Sequence, residues 1–258
     1  MTVALKSVKH GDQGEPLVIL HGLFGNARNW QGIAKQLSAC YTVYALDMRN
    51  HGSSPHADEM DYQSMSDDVL AFMALEGLAK ATIIGHSMGG KVAMQLALSA
   101  PDKVSKLVVV DIAPVTYQHN FDDVLVGLYH VPLDDVGSRK EADKYLAEKI
   151  DVPSLRQFLL QNLVSNTSGG YQWRVNLASI EEGMSDIMGF PLSQRAGNYH
   201  GQTLFISGGK STYVVSRHQA AAKELFPQAE FQVIKNSGHW PHIEAPQEFM
   251  TKLTSFLS

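Results

Sequence analysis

The sequence is most informative at first in what it is short of. Among 258 residues there is one cysteine, Cys40, so no disulfide can form within the chain. Its position between a helical and a strand-like segment reads as a small apolar residue facing the interior, and the near-absence of cysteine suits a reducing, cytoplasmic setting. No run of lysines or arginines occurs, and the formal net charge is −5. That excludes the basic footprint of a nucleic-acid or anionic-membrane binder. No stretch approaches the ~20 apolar residues of a membrane span, and the first residues lack a sustained apolar run after a basic start. There is no His-Glu-x-x-His string and no Cys/His cluster, so neither metal nor cofactor is expected. Repeats and low-complexity tracts are missing as well.

What is present is an alternation. Residues 3–9 and 16–20 read as strands around the polar turn His10-Gly11-Asp12-Gln13-Gly14, which suggests an opening antiparallel hairpin. Leu17-Val18-Ile19-Leu20 is apolar without alternation, as a strand covered on both faces requires, and leads into His21-Gly22-Leu23-Phe24-Gly25. Next come a helix over 30–38, a strand over 41–46, a helix carrying Met65, Val69, Phe72 and Met73, and a strand over 81–84. A helix follows from residue 90, then a strand over 104–110 that ends at Asp111. Strand and helix in alternation predict a mostly parallel sheet of about eight strands, with ligands bound at the strands' carboxyl ends.

From residue 113 to about 195 only helical patterns are read, over 121–129, 139–150, 153–164 and 173–188. Sheet-like segments resume at 203–207 and 230–234, with helices over 217–226 and 246–257. The expected organisation is a core of residues 1–113 and 196–258, with residues 114–195 inserted as a helical cap.

The chemistry centres on Gly85-His86-Ser87-Met88-Gly89, placed between an apolar strand and a helix of small residues. Such a turn is tight enough to need glycine on both sides, and it lifts one hydroxyl clear of the sheet: a nucleophile elbow, with Ser87 as nucleophile. A serine hydroxyl needs a base within hydrogen-bond reach and a third group to orient that base. Of eleven histidines, His239 is the best placed, in the loop Asn236-Ser237-Gly238-His239-Trp240 after the last strand. His86 is expected to pack beneath the elbow, and His21 to stabilise its own loop.

Four strings coincide with those of the α/β-hydrolase family, which the sequence resembles along essentially its whole length. They are His21-Gly22, Asp47-x-Arg49-x-His51-Gly52-x-Ser54, the elbow, and Gly238-His239 with Glu244-x-Pro246. Val109-Val110-Asp111-Ile112-Ala113-Pro114 and Gly208-Gly209-Lys210-Ser211-Thr212-Tyr213 further resemble the YbfF-type esterases. The resemblance implies an oxyanion hole from the backbone N–H groups of Leu23 and Met88. Most members carry an aspartate where this chain has Ser211; the carboxylate is therefore assigned to Asp111, at the end of the preceding strand, a position some members use. On that assignment Asp111→Asn is expected to lower kcat by ~10⁴ and Ser211→Ala to cost little.

The reaction so implied is serine-dependent hydrolysis of short- to medium-chain carboxylic esters through an acyl-enzyme, with acyl-CoA thioesters as possible substrates. Phe24, Tyr117, Trp173 and Trp240 are the candidate pocket residues. The same three side chains also serve C–C bond hydrolysis, cofactor-free perhydrolysis, and receptors that bind a small molecule with little turnover. Dehalogenase and epoxide-hydrolase chemistry needs an aspartate where Ser87 stands.

Overall fold

In a computed structural model, the described residues are 1–118, 121–167, 169–191 and 197–258. Strands β1 (Lys6–His10), β2 (Pro16–Leu20) and β3 (Thr42–Asp47) alternate with helices α1 (Gln31–Leu37) and α2 (Tyr62–Leu75). Then come β4 (Ala81–His86), α3 (Met88–Ser99) and β5 (Val104–Val110). Between β5 and the next sheet strand lie α4 (Asp122–His130), α5 (Arg139–Ala147), α6 (Pro153–Leu159), the short strands β6 (Leu163–Ser165) and β7 (Tyr171–Trp173), α7 (Leu177–Glu182) and α8 (Met184–Met188). The chain closes with β8 (Thr203–Gly208), α9 (Ser216–Leu225), β9 (Ala229–Ile234), α10 (Pro241–Glu244) and α11 (Pro246–Leu257).

The main sheet has the order β1-β3-β2-β4-β5-β8-β9, and every neighbouring pair is parallel except β1 with β3. Side chains alternate across a strand, so β2 serves two cores at once. Leu17 and Ile19 join Ile33 and Leu37 of α1 and Phe249 and Leu253 of α11 on one face. Val18 and Leu20 face the other way, toward Met65, Val69 and Phe72 of α2 and Val92 of α3. A strand buried on both sides has no polar position to spare, which is why its sequence shows no alternation.

Four expectations are corrected. The described sheet has seven strands rather than about eight. No hairpin joins the first two strands, because β1 pairs antiparallel with β3 and β2 lies beyond it. The segment after β5 is not purely helical: β6 and β7 form an antiparallel two-stranded sheet with Leu163 opposite Trp173. Three-residue strands are too short to show a period. Cys40 is exposed, not interior, since it falls in the turn between α1 and β3. The expected boundary at residues 195 and 196 lies outside the described residues. Among the described residues no helix is long and apolar enough to cross a membrane.

Candidate active site

The loops leaving the carboxyl ends of β2, β4, β5, β8 and β9 meet above the middle of the sheet. Register decides which side chains stand level there. Because β4 and β5 pair with His86 opposite Val110, the next residues, Ser87 and Asp111, emerge side by side. The backbone then bends sharply at both, with Ser87 at φ 51° and Asp111 at φ 49°, a left-handed region that residues with side chains enter only at a cost. At Ser87 the turn works because its neighbours are glycines. A Cβ on Gly89 would stand 2.5 Å from the carbonyl oxygens of Leu20 and His21. One on Gly85 would collide with the Gly89 backbone.

Ser87, His239 and Asp111 form one hydrogen-bonded chain. His239 Nδ1 lies 2.7 Å from Asp111 Oδ2, and His239 Nε2 lies 3.1 Å from Ser87 Oγ. A carboxylate can only accept, so Nδ1 carries the proton and Nε2 presents its lone pair to the serine hydroxyl. Asp111 is fully buried and its charge is met by three donors. Gly208 N–H donates to Oδ1 at 2.9 Å, Ser211 Oγ–H donates to Oδ2 at 2.5 Å, and the imidazole supplies the third. The sequence marked Ser211 only as a gap where an acid was expected; the structure makes it a partner of the acid.

The loop bearing His239 is gripped from several sides. Glu244 accepts hydrogen bonds from Gly238 N–H at 2.8 Å and Trp240 N–H at 3.1 Å. His86 Nε2–H donates to the His239 carbonyl at 2.7 Å, and Tyr213 stacks on the His239 ring with centroids 4.2 Å apart. His86 is buried, and the desolvation of its charged form, together with the neighbouring His242 and His239, holds its pKa well below the ordinary histidine value.

Neither Leu23 N–H nor Met88 N–H donates to a protein acceptor among the described residues. Met88 opens α3, where an unpaired N–H is intrinsic to the helix end. Leu23 lies in a turn closed by Gly25 N–H on Gly22 O at 2.9 Å. That turn is seated on the core by two neutral histidines. His21 Nε2 accepts from Met48 N–H at 3.0 Å, and His51 Nε2 accepts from Phe24 N–H at 3.1 Å.

A cavity of about 210 Å³ opens beside Ser87. Leu23, Phe24 and Trp240 line it together with Phe121, Val124, Leu155 and Phe158, so the segment between β5 and β8 contributes part of the pocket wall. Tyr117 lines a second, smaller cavity of about 20 Å³ that shares Ser87 and Leu23 with the first and adds Met88 and Lys91. Trp173 lines neither; its indole N–H donates to Leu128 O at 3.0 Å within the insert, which corrects its assignment as a pocket residue. Sequence reasoning missed Lys91. It is buried, and its Nζ donates to the carbonyls of Ile187, Met188 and Gly189 at 3.3, 2.9 and 2.5 Å.

Comparison with known proteins agrees with this architecture. The alpha/beta hydrolase fold family matches residues 15–246. The sn-1-specific diacylglycerol lipase ABHD11 of Mus musculus is 42% identical over 257 residues, covering 96% of this chain and 83% of the lipase. Esterase YbfF of Escherichia coli (strain K12) is 32% identical over 259 residues, covering 100% of this chain and 99% of its own. Among solved structures, a marine microorganism esterase superposes with a TM-score of 0.96 at 39% identity, covering 99% of this chain and 100% of that one. A family match over nearly the whole chain, relatives alignable along almost all of it, and a mostly parallel sheet flanked by helices together place the chain in the alpha/beta-hydrolase family.

Proposed function

We propose that the protein hydrolyses carboxylic esters with short- to medium-chain acyl groups through a covalent acyl-enzyme. The observation that carries this reading is the unbroken hydrogen-bond chain from Ser87 through His239 to the buried Asp111, with Ser87 and His239 lining an apolar cavity. Esterase and lipase names among the relatives support the substrate class.

In this mechanism Ser87 Oγ attacks the ester carbonyl while His239 Nε2 takes its proton. Asp111 holds the imidazole in the productive tautomer and stabilises its cation. Negative charge collects on the former carbonyl oxygen, and in this reading the N–H groups of Leu23 and Met88 are the donors that stabilise it. Fixed donors of this kind are worth about 2.7–4 kcal/mol each in the transition state. The His239 proton then passes to the leaving alcohol, and a water activated by the same nitrogen releases the acid. Residues 114–195 act as the cap over the cavity, with Phe24 and Trp240 among the groups that hold the substrate.

A panel of p-nitrophenyl esters of increasing acyl length, extended to acyl-CoA thioesters, tests the reading. Turnover is expected to peak at short to medium chains and to disappear in Ser87→Ala. Binding of the esters without Ser87-dependent turnover would replace the enzyme with a receptor.

A further inference from the structure

The turn Gly22-Leu23-Phe24-Gly25 has a feature its sequence does not announce. Phe24 occupies the third position with φ 61°, where glycine or asparagine is the usual occupant. A phenylalanine stays there only if its surroundings hold it. Two hydrogen bonds do so, one on each side of the residue. On the core side, Phe24 N–H donates to His51 Nε2 at 3.1 Å; that ring is fixed in turn by Nδ1–H on Arg49 O at 2.8 Å. On the other side, the Phe24 carbonyl accepts a hydrogen bond from Asn162 Nδ2 at 2.7 Å.

Asn162 comes from the insert, at the end of the short helical turn Leu160–Asn162 between α6 and β6. It is 1% exposed, and its own carbonyl accepts from Arg174 N–H at 2.8 Å, which ties it to the segment after β7. The preceding residue grips the far end of the same loop, with Gln161 Oε1 accepting from Asn29 Nδ2 at 2.8 Å. The stretch carrying Leu23 is therefore clamped between core and insert, and the amide of Asn162 is the clamp's buried contact.

We propose that Asn162 is a positioning residue for the oxyanion turn: by holding the Phe24 carbonyl it keeps Leu23 N–H aligned with Met88 N–H, so that the insert seated on the core is a condition of catalysis and not only a roof. The inference rests on the hydrolase reading above. If the hydrogen bond is lost, Phe24 can relax toward negative φ. The peptide planes on both sides must rotate to absorb that change, and Leu23 N–H tilts with them. An ester in its ground state is held mainly by apolar walls and barely notices. The tetrahedral intermediate needs the donor in place, so the damage falls on kcat.

The test uses the full chain with p-nitrophenyl butyrate, active sites counted by titration, and an alkyl boronic acid as a tetrahedral mimic. Asn162→Leu, close in volume but without a donor, is expected to lower kcat per titrated site roughly 10- to 100-fold, the scale of a donor displaced by about 1 Å. KM should stay within about twofold, and boronate affinity should fall in parallel with kcat/KM. Asn162→Ala is read in the same way if the leucine variant does not fold. Phe24→Gly removes the strain at the left-handed position, so in that background Asn162→Leu should cost roughly threefold or less. Parental kcat per titrated site, or a loss carried by KM with boronate affinity unchanged, overturns the proposal. Ser87→Ala separates the two levels. If it retains turnover the hydrolase reading fails, whereas an inactive Ser87→Ala beside a fully active Asn162→Leu removes this inference alone.

Discussion

A buried carboxylate can orient a histidine only while its own charge is satisfied, and at Asp111 the sequence order of the donors hides how this is done. Ser211 follows Asp111 by 100 positions yet donates to the same oxygen as His239, and its Oγ also accepts from Tyr213 N–H at 3.2 Å, below the ring that stacks on His239. The expectation that Ser211→Ala costs little is therefore revised. Removing one of three donors to a charged group costs about 1.5–3 kcal/mol if nothing replaces it; felt in full in the transition state, that lowers kcat by about 10- to 150-fold. That still lies well short of the ~10⁴ loss for Asp111→Asn, which corrupts the tautomer itself. Ser211→Asp should be worse than Ser211→Ala, because two carboxylates at hydrogen-bond distance cannot both stay ionised. Steady-state kinetics of the three variants decide this, and an aspartate variant more active than the alanine one would refute the assignment of Asp111 as the orienting acid.

At the scale of elements, α3 joins the elbow to the insert. Every residue of this helix from Met88 to Leu98 is buried, and Lys91, one turn after Ser87, reaches three carbonyls at the end of α8 and lies over the rings of Tyr62 and Tyr117. Burial lowers its pKa to about 7. Unfolded lysine titrates near 10.4, so between roughly pH 7 and 10 the unfolded chain holds a proton that the folded chain has lost. Stability contributed by this group therefore rises with pH across that window and is flat below it. Lys91→Met should abolish that alkaline rise. Urea unfolding at pH 6, 7, 8 and 9 reads the slope, and a variant whose stability climbs between pH 7 and 9 as steeply as its parent's would contradict it. The same elements show what a linear sequence discloses. The elbow was legible because its glycines and flanking pattern are local demands of one turn. The pairing of β1 with β3 was not, since two adjacent extended runs look alike whether they pair with each other or with a third. Lys91 and Asn162 escaped notice, and Ser211 was read only as a missing acid, for a related reason: each acts on a segment about 100 residues away, or 138 for Asn162, and nothing near it in the chain marks the partner.

Across the whole molecule, four histidines are buried around the site without charge. Burial is the leading cause for each, and it lowers His21 to about 4, His51 and His242 to about 3, and His86 well below its ordinary value. Neutrality is what lets His21 and His51 accept from the N–H groups of Met48 and Phe24. It also sets an acid limit on the fold. Above pH 6.5 each histidine is neutral in both states and contributes no pH dependence. As pH falls below 6.5 the unfolded chain takes up protons that the folded chain refuses, so stability is lost at up to about 1.4 kcal/mol per pH unit for each histidine. His242 is the cleanest one to remove: its ring stacks flat on Trp30 with centroids 4.1 Å apart, and its Nδ1 has no partner among the described residues. His242→Phe preserves the stack and should leave stability at pH 8 within about 1.5 kcal/mol of the parent. Between pH 6.5 and 5 it should lose stability less steeply, by the slope of one proton. Urea midpoints at four pH values in that range measure the difference directly, and a variant as acid-sensitive as its parent would mean that His242 takes up its proton in the folded state, against the desolvation that surrounds it.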